Sequence, residues 1–184
     1  ASLLYSGLIA VDQSGQVEPR IAQSWKEGDS NTITFMLRRG LVFTNGKPIT
    51  AAAVVASLCA SMQPDHVQSA TLKGIVHETA ANKAVACTGL STPAEYTVVI
   101  KVSEPVEWVM DALSGPGGWI VDTKVDAAQY GVRAGSGPYT VDTIKADSKI
   151  VLRARSGGSP IVPKLETVTF VFAPDDALAA QYFN

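Results

Sequence analysis

Few residues in this 184-residue chain have side chains that do chemistry at a useful spacing. The two histidines, His66 and His77, are too far apart to place a metal-binding pair on one helical turn, and each reads as a surface or hydrogen-bonded residue. Cys59 and Cys87 each lack a second Cys or a His two to four positions away, so no zinc pattern exists and no metal site is expected. Two states remain open for these cysteines: buried thiols packing as small hydrophobes, or one disulfide worth about 3 to 4 kcal/mol in an exported protein. No Gly-x-Ser-x-Gly elbow supplies a nucleophile. Gly40 to Lys47 has the outline of a phosphate loop, but carries one residue too many between its glycines, and Pro48 stands where a Mg²⁺-binding hydroxyl is needed. Gly115-Pro116-Gly117-Gly118 lacks dinucleotide-binding spacing. The carboxylates are scattered, so only an acid/base pair assembled from distant residues could support catalysis; no catalytic residue and no cofactor is expected.

Composition narrows the classes further. Fifteen Lys and Arg against 17 Asp and Glu give a formal charge of −2, with 46% apolar residues. Such a chain is too apolar and too weakly charged for disorder, and it has no basic cluster to hold nucleic acid or a membrane surface. The longest apolar run, Ala51 to Ala56, is far short of a membrane span. An export signal, if there is one, is removed or lies upstream of Ala1.

The elements that must position any site follow from local pattern. Asp12-Gln13-Ser14-Gly15 marks a tight turn. Pro19, Ile21-Ala22 and Trp25 predict a short helical turn that presses Trp25 into a core. Thr32 to Leu37 alternates as a half-buried strand, Leu41 to Phe43 predicts a second short strand, and Asn45-Gly46 a tight turn. Thr50 precedes the clearest helix, Ala51 to Met62, with Val54, Leu58 and Met62 along one stripe. Two weak strands are expected around Ala81-Asn82-Lys83, a strand over Tyr96 to Val102, a helix from Pro105 to Ser114, and a short helix over Lys124 to Tyr130. Further strands are expected at Tyr139 to Lys145, Lys149 to Arg155 and Leu165 to Phe172, then a helix near Ala177. Ser156 to Pro160 reads as a loop between neighbouring strands. This order predicts an α+β fold, a mixed sheet with interspersed helices.

Several segments, in order, resemble the extracellular solute-binding proteins of family 5, the dipeptide, oligopeptide and nickel receptors of ABC transporters. They are Leu4-Tyr5-Ser6-Gly7-Leu8 with Asp12, Gly15, Pro19 and Ile21-Ala22-Gln23-Ser24-Trp25; Thr34 to Phe43 with Asn45-Gly46-Lys47-Pro48-Ile49-Thr50-Ala51; Tyr96-Thr97-Val98-Val99 with Glu104-Pro105; and Gly135-Ser136-Gly137-Pro138-Tyr139. Two features depart from the family pattern: Ala52 and Ala53 replace acidic residues in the first helical turn, and Gly157-Gly158-Ser159-Pro160 replaces a Tyr-Trp.

The resemblance implies part of a two-lobe periplasmic binding protein type II fold. Residues 1–130 would be the peripheral domain of the first lobe and 131–184 the strands returning to its core, with the second lobe absent. It implies a non-catalytic, monomeric substrate-binding component of an importer, partnered by a small peptide or similar solute and by a membrane permease, in the periplasm or on the extracellular face of the cell membrane. Trp119 and Gly118 would lie on a ligand-facing loop, Trp119 to stack or Gly118 to allow close approach, with core packing as the plainer role for Trp119. His66 would lie near another such loop. An exported protein would join Cys59 to Cys87. The competing readings are a small hydrolase or transferase and a stand-alone interaction domain.

Overall fold

A computed structural model describes residues 2–29, 31–80, 85–125, 134–146 and 148–172. Its centre is an antiparallel four-stranded sheet in the order β3-β4-β8-β7, formed by β3 (Ala22–Gly28), β4 (Thr32–Leu37), β7 (Leu90–Ala94) and β8 (Thr97–Lys101). The alternation of β4 turns Ile33, Phe35 and Leu37 inward, and β8 sets Ile100 opposite Ile33 and Val98 opposite Phe35. Helix α1 (Ala51–Ser61) packs on this sheet at β7 and β8. The Ala53 N–H donates to Thr50 Oγ1 at its start, and Val54, Leu58 and Met62 form the buried stripe. Each such aliphatic side chain contributes about 1.5–3 kcal/mol on burial.

Where the expected helical turn ends in Trp25, the chain is instead strand β3. A register shift between Ala22 and Ser24 adds a residue to β3, so Ala22 and Trp25, three apart, both lie opposite inward-facing residues, Leu37 and Phe35. A helix-like spacing is thus produced by a bulge. The rings of Trp25 and Phe35 lie 6.4 Å apart. The expected strand at Leu41 to Phe43 reduces to a single bridge, Val42 with Pro48, closing the Asn45-Gly46 turn, where Gly46 adopts φ +82°.

Around this sheet lie a hairpin of β1 (Ile9–Val11) and β2 (Val17–Pro19), and a two-residue pair of β5 (Glu78–Thr79) with β6 (Val85–Ala86). The β1–β2 turn is tied by Asp12 Oδ1, which accepts from the Ser14 and Gln16 N–H groups. Helix α2 (Val106–Ser114) starts after Pro105, as expected. A separate antiparallel meander joins β9 (Tyr139–Lys145), β10 (Lys149–Ala154) and β11 (Thr167–Val171), with Ser156 to Pro160 in the loop between paired neighbours. All these ladders are antiparallel. Most of the expected Lys124 to Tyr130 helix, and the expected helix near Ala177, lie outside the described residues.

The Arg155 guanidinium ties the meander to the rest, donating to Gly137 O at 2.9 Å and Val42 O at 2.7 Å. Cys59 and Cys87 are joined by a disulfide, with Cα atoms 5.8 Å apart, linking the last turn of α1 to the segment after β6. Beside it the Gln63 carboxamide donates to Val85 O and accepts from Val85 N, both at 3.1 Å, so the side chain stands in for a neighbouring strand.

Candidate functional site

The stretch Leu3 to Ser6 is threaded between two backbones. Tyr139 N–H donates to Leu3 O, Gly137 N–H to Leu4 O and Ile120 N–H to Ser6 O. Ser136, fully buried, accepts from Ser6 N–H at 2.9 Å and donates to Ile120 O at 2.6 Å, so one hydroxyl joins three segments. A side chain at position 137 would start 2.5 Å from the Leu4 carbonyl carbon, which is why glycine stands there.

This threading sets the Tyr5 ring against Trp119. The ring centroids are 5.7 Å apart with planes inclined by 17°, an offset stack. Trp119 leaves the 3₁₀ turn Pro116–Gly118, and the Ser57 hydroxyl holds its far side by donating to Trp119 O and accepting from Val121 N–H. Burial pushes the Tyr5 phenol above its ordinary pKa, so it stays neutral and able to donate. Trp119 is partly exposed, and the stacked pair is a ridge between two open grooves of about 530 and 590 Å³. Ser61, Gln63, Asp65 and His66 line the first; Ser6, Ile9, Arg20 and Lys164 line the second. His66 is exposed, its Nδ1 accepting from Gln68 N–H at 3.2 Å.

Of the two residues expected on a ligand-facing loop, Trp119 stands on the ridge, while Gly118 is buried one residue behind it, backed against Leu113 of α2. Sequence reasoning missed Tyr5 and Asp65: Tyr5 meets Trp119 across 114 positions, and no local pattern carries that pairing.

Below the site, Asp122 is almost wholly buried, accepting from Lys47 Nζ at 2.7 Å, Asn45 Nδ2 at 2.8 Å and Lys124 N–H at 3.0 Å. Burial raises its pKa, but the Lys47 and Asn45 hydrogen bonds, the Lys124 N–H and the Lys47 charge outweigh this and hold the carboxyl below its usual value. A carboxylate depressed on folding stabilises above the unfolded pKa and loses that contribution as pH falls through the folded one. Asp122→Asn is therefore expected to cost about 1–2 kcal/mol at neutral pH, kept modest because Lys47 is half exposed. Urea midpoints of the two proteins should converge below about pH 4.

Among the described residues no group of three or more His, Cys, Asp or Glu side chains is placed to hold a metal, and no helix is long and apolar enough to cross a membrane. This mixed arrangement of antiparallel sheets with a few flanking helices is that of the type II periplasmic binding proteins. The solved structures agree. MoaA from A. tumefaciens R10, in complex with mannopinic acid, superposes with a TM-score of 0.79 at 23% identity over 99% of this chain and 37% of that one. A nickel ABC transporter protein from Bacillus halodurans gives 0.75 at 26% identity, covering 99% and 36%.

The family profile of bacterial extracellular solute-binding proteins, family 5 Middle, matches residues 16–184, and the chain belongs to that family. Members of this family are transporter receptors rather than enzymes. Among curated relatives, the glutathione-binding protein GsiB of Salmonella choleraesuis is 28% identical over 92% of this chain, and the periplasmic oligopeptide-binding protein OppA of Escherichia coli K12 is 28% identical over 61%. The chain spans 32% and 22% of the length of those two proteins.

Proposed function

We propose that these residues are the first-lobe portion of the substrate-binding component of an ABC importer, which captures a peptide or related small solute between two lobes without chemistry and hands it to a membrane permease. In this reading residues 1–130 are the peripheral domain of that lobe, residues 131–184 return to its core, the complete protein works as a monomer outside the cytoplasmic membrane, and Trp119 contacts the ligand. Gly118 contributes by seating Trp119. The observation that carries the reading is the Tyr5–Trp119 ridge: a stacked aromatic pair, both members partly exposed, between grooves too open to exclude water from a reaction. One jaw of a clamp has this form, and a second surface would close over it.

Titration of the complete two-lobe protein with an oligopeptide, followed by the NMR signal of the Trp119 indole N–H, tests the reading. Peptide is expected to shift that signal, and Trp119→Ala to weaken binding about tenfold, the ~1.4 kcal/mol of one well-placed aromatic contact. An unmoved indole signal at saturating peptide overturns it.

A further inference from the structure

Helix α2 turns Val109, Met110 and Leu113 into the core and leaves its other face to solvent. On that face Trp108 is 68% exposed, although few side chains gain more from burial. A lone exposed apolar residue needs no explanation, but Trp108 borders a groove of about 60 Å³ between α2 and the 3₁₀ turn Ser69–Leu72. The buried Leu72, Ile75 and Val109 form its floor, and it has room for the tip of one aliphatic side chain. The charges around it are mostly negative. Glu104 lines the groove and Glu107 and Asp111 flank Trp108, all three exposed and without an ion pair among the described residues, against one lining cation, Lys73. Glu107 stands in the first turn, where the helix dipole favours it; Asp111, four residues on, repels it across one turn. A cation seated over this face would relieve that repulsion.

We propose that the outer face of α2 docks a protein partner through an arginine with an aliphatic neighbour, the guanidinium over the Trp108 ring and against Glu107 and Asp111, the aliphatic tip in the groove. Trp offers the best cation–π surface of any side chain, and Trp and Arg are enriched among the residues that carry interface energy. Arginine fits better than lysine, since its planar guanidinium stacks on a ring while its N–H fork still donates to carboxylates. The groove shares no lining residue with those beside the Tyr5–Trp119 ridge, so this surface stands or falls apart from the ligand site.

The test is NMR titration of the complete ¹⁵N-labelled two-lobe protein with acetyl-Arg-Leu-Arg-amide and acetyl-Gln-Leu-Gln-amide, read at the Trp108 and Trp119 indole N–H signals. The arginine peptide is expected to shift the Trp108 signal and to bind there about tenfold more tightly than the glutamine one, a difference of ~1.4 kcal/mol. Salt at about 1 M, where charges are screened beyond about 3 Å, should erase most of that preference. Glu107→Gln with Asp111→Asn should erase it at low salt while the Trp108 signal still moves. Trp108→Ala should abolish the peptide-induced shifts of the α2 amides without moving the unfolding midpoint, because the ring is exposed in the free protein. Equal binding of the two peptides at low salt overturns the proposal. So does a Trp108 signal unmoved by millimolar arginine peptide, as when the rest of the protein covers that ring. A shift at Trp119 alone would place the peptide on the ridge, overturning the docking surface while supporting the ligand site.

Discussion

Gly118→Ala is expected to destabilise the protein by about 3 kcal/mol, the upper range for forcing an extra methyl into a close-packed site. A Cβ at this position would lie 2.0 Å from the Leu113 carbonyl oxygen and 2.6 Å from the Leu113 Cα and carbonyl carbon, distances that only a backbone displacement can relieve. Leu113 cannot give way cheaply, since its side chain is fully buried in the core at the end of α2. The displacement must therefore fall on the Pro116–Gly118 turn, which carries Trp119 into its stack with Tyr5. A loss of stability and a loss of the ridge should thus appear together, as a lower urea midpoint and a shifted Trp119 indole signal. Gly115→Ala is the control: its nearest neighbour would be the Ala112 carbonyl oxygen at 3.6 Å and its φ is −87°, so a change within about 0.5 kcal/mol is expected. If the two variants behave alike, the close approach at Leu113 does not govern the site.

The contrast between these glycines shows what a sequence carries and what it cannot. The alternation of Thr32 to Leu37, the Thr50 cap with its Val54–Leu58–Met62 stripe, and the strands at Tyr139 and Lys149 are each written in consecutive residues, because their periodicity comes from local geometry. Trp25 packs against the core as expected, but from a strand rather than a helical turn, since a bulge places Ala22 and Trp25 on one face at a helix-like spacing, and bulges leave no periodic trace. Strand β7 was unforeseen because Pro93 breaks strand propensity; β7 is an edge strand, where a missing N–H is tolerated. The site was less legible still. Ser136 stands in the Gly135 to Tyr139 motif, but its partners Ser6 and Ile120 lie 130 and 16 positions away. Gly118 and Trp119 carry no local sign of which one seats the other; only the packing against Leu113 separates them. The state of Cys59 and Cys87 stayed open for the same reason, since a separation of 28 residues constrains no distance in space.

That bridge carries the second large effect. Removing it, by a dithiol or by Cys59→Ala with Cys87→Ala, is expected to destabilise the chain by about 3–4 kcal/mol, the loop-closure entropy returned to the unfolded state for a loop closed across 28 residues. For a protein of this size the unfolding midpoint should fall by about 10 °C. The native segment need not detach when the bridge opens, because the Gln63 carboxamide still grips Val85 at both its N–H and its C=O. Reduction should therefore leave the Trp119 indole signal in place at room temperature while amide exchange quickens from Val85 to Cys87, a stretch then restrained by the Gln63 contact and the two-residue β5–β6 pair. The triple variant that adds Gln63→Ala should lose this residual protection, separating the entropic effect of the crosslink from the enthalpic grip beside it. Alkylation of the native, unreduced protein with mass measurement checks the premise: no adduct is expected until a dithiol is added, and two labelled thiols beforehand would contradict both the bridge and an oxidising compartment for this chain.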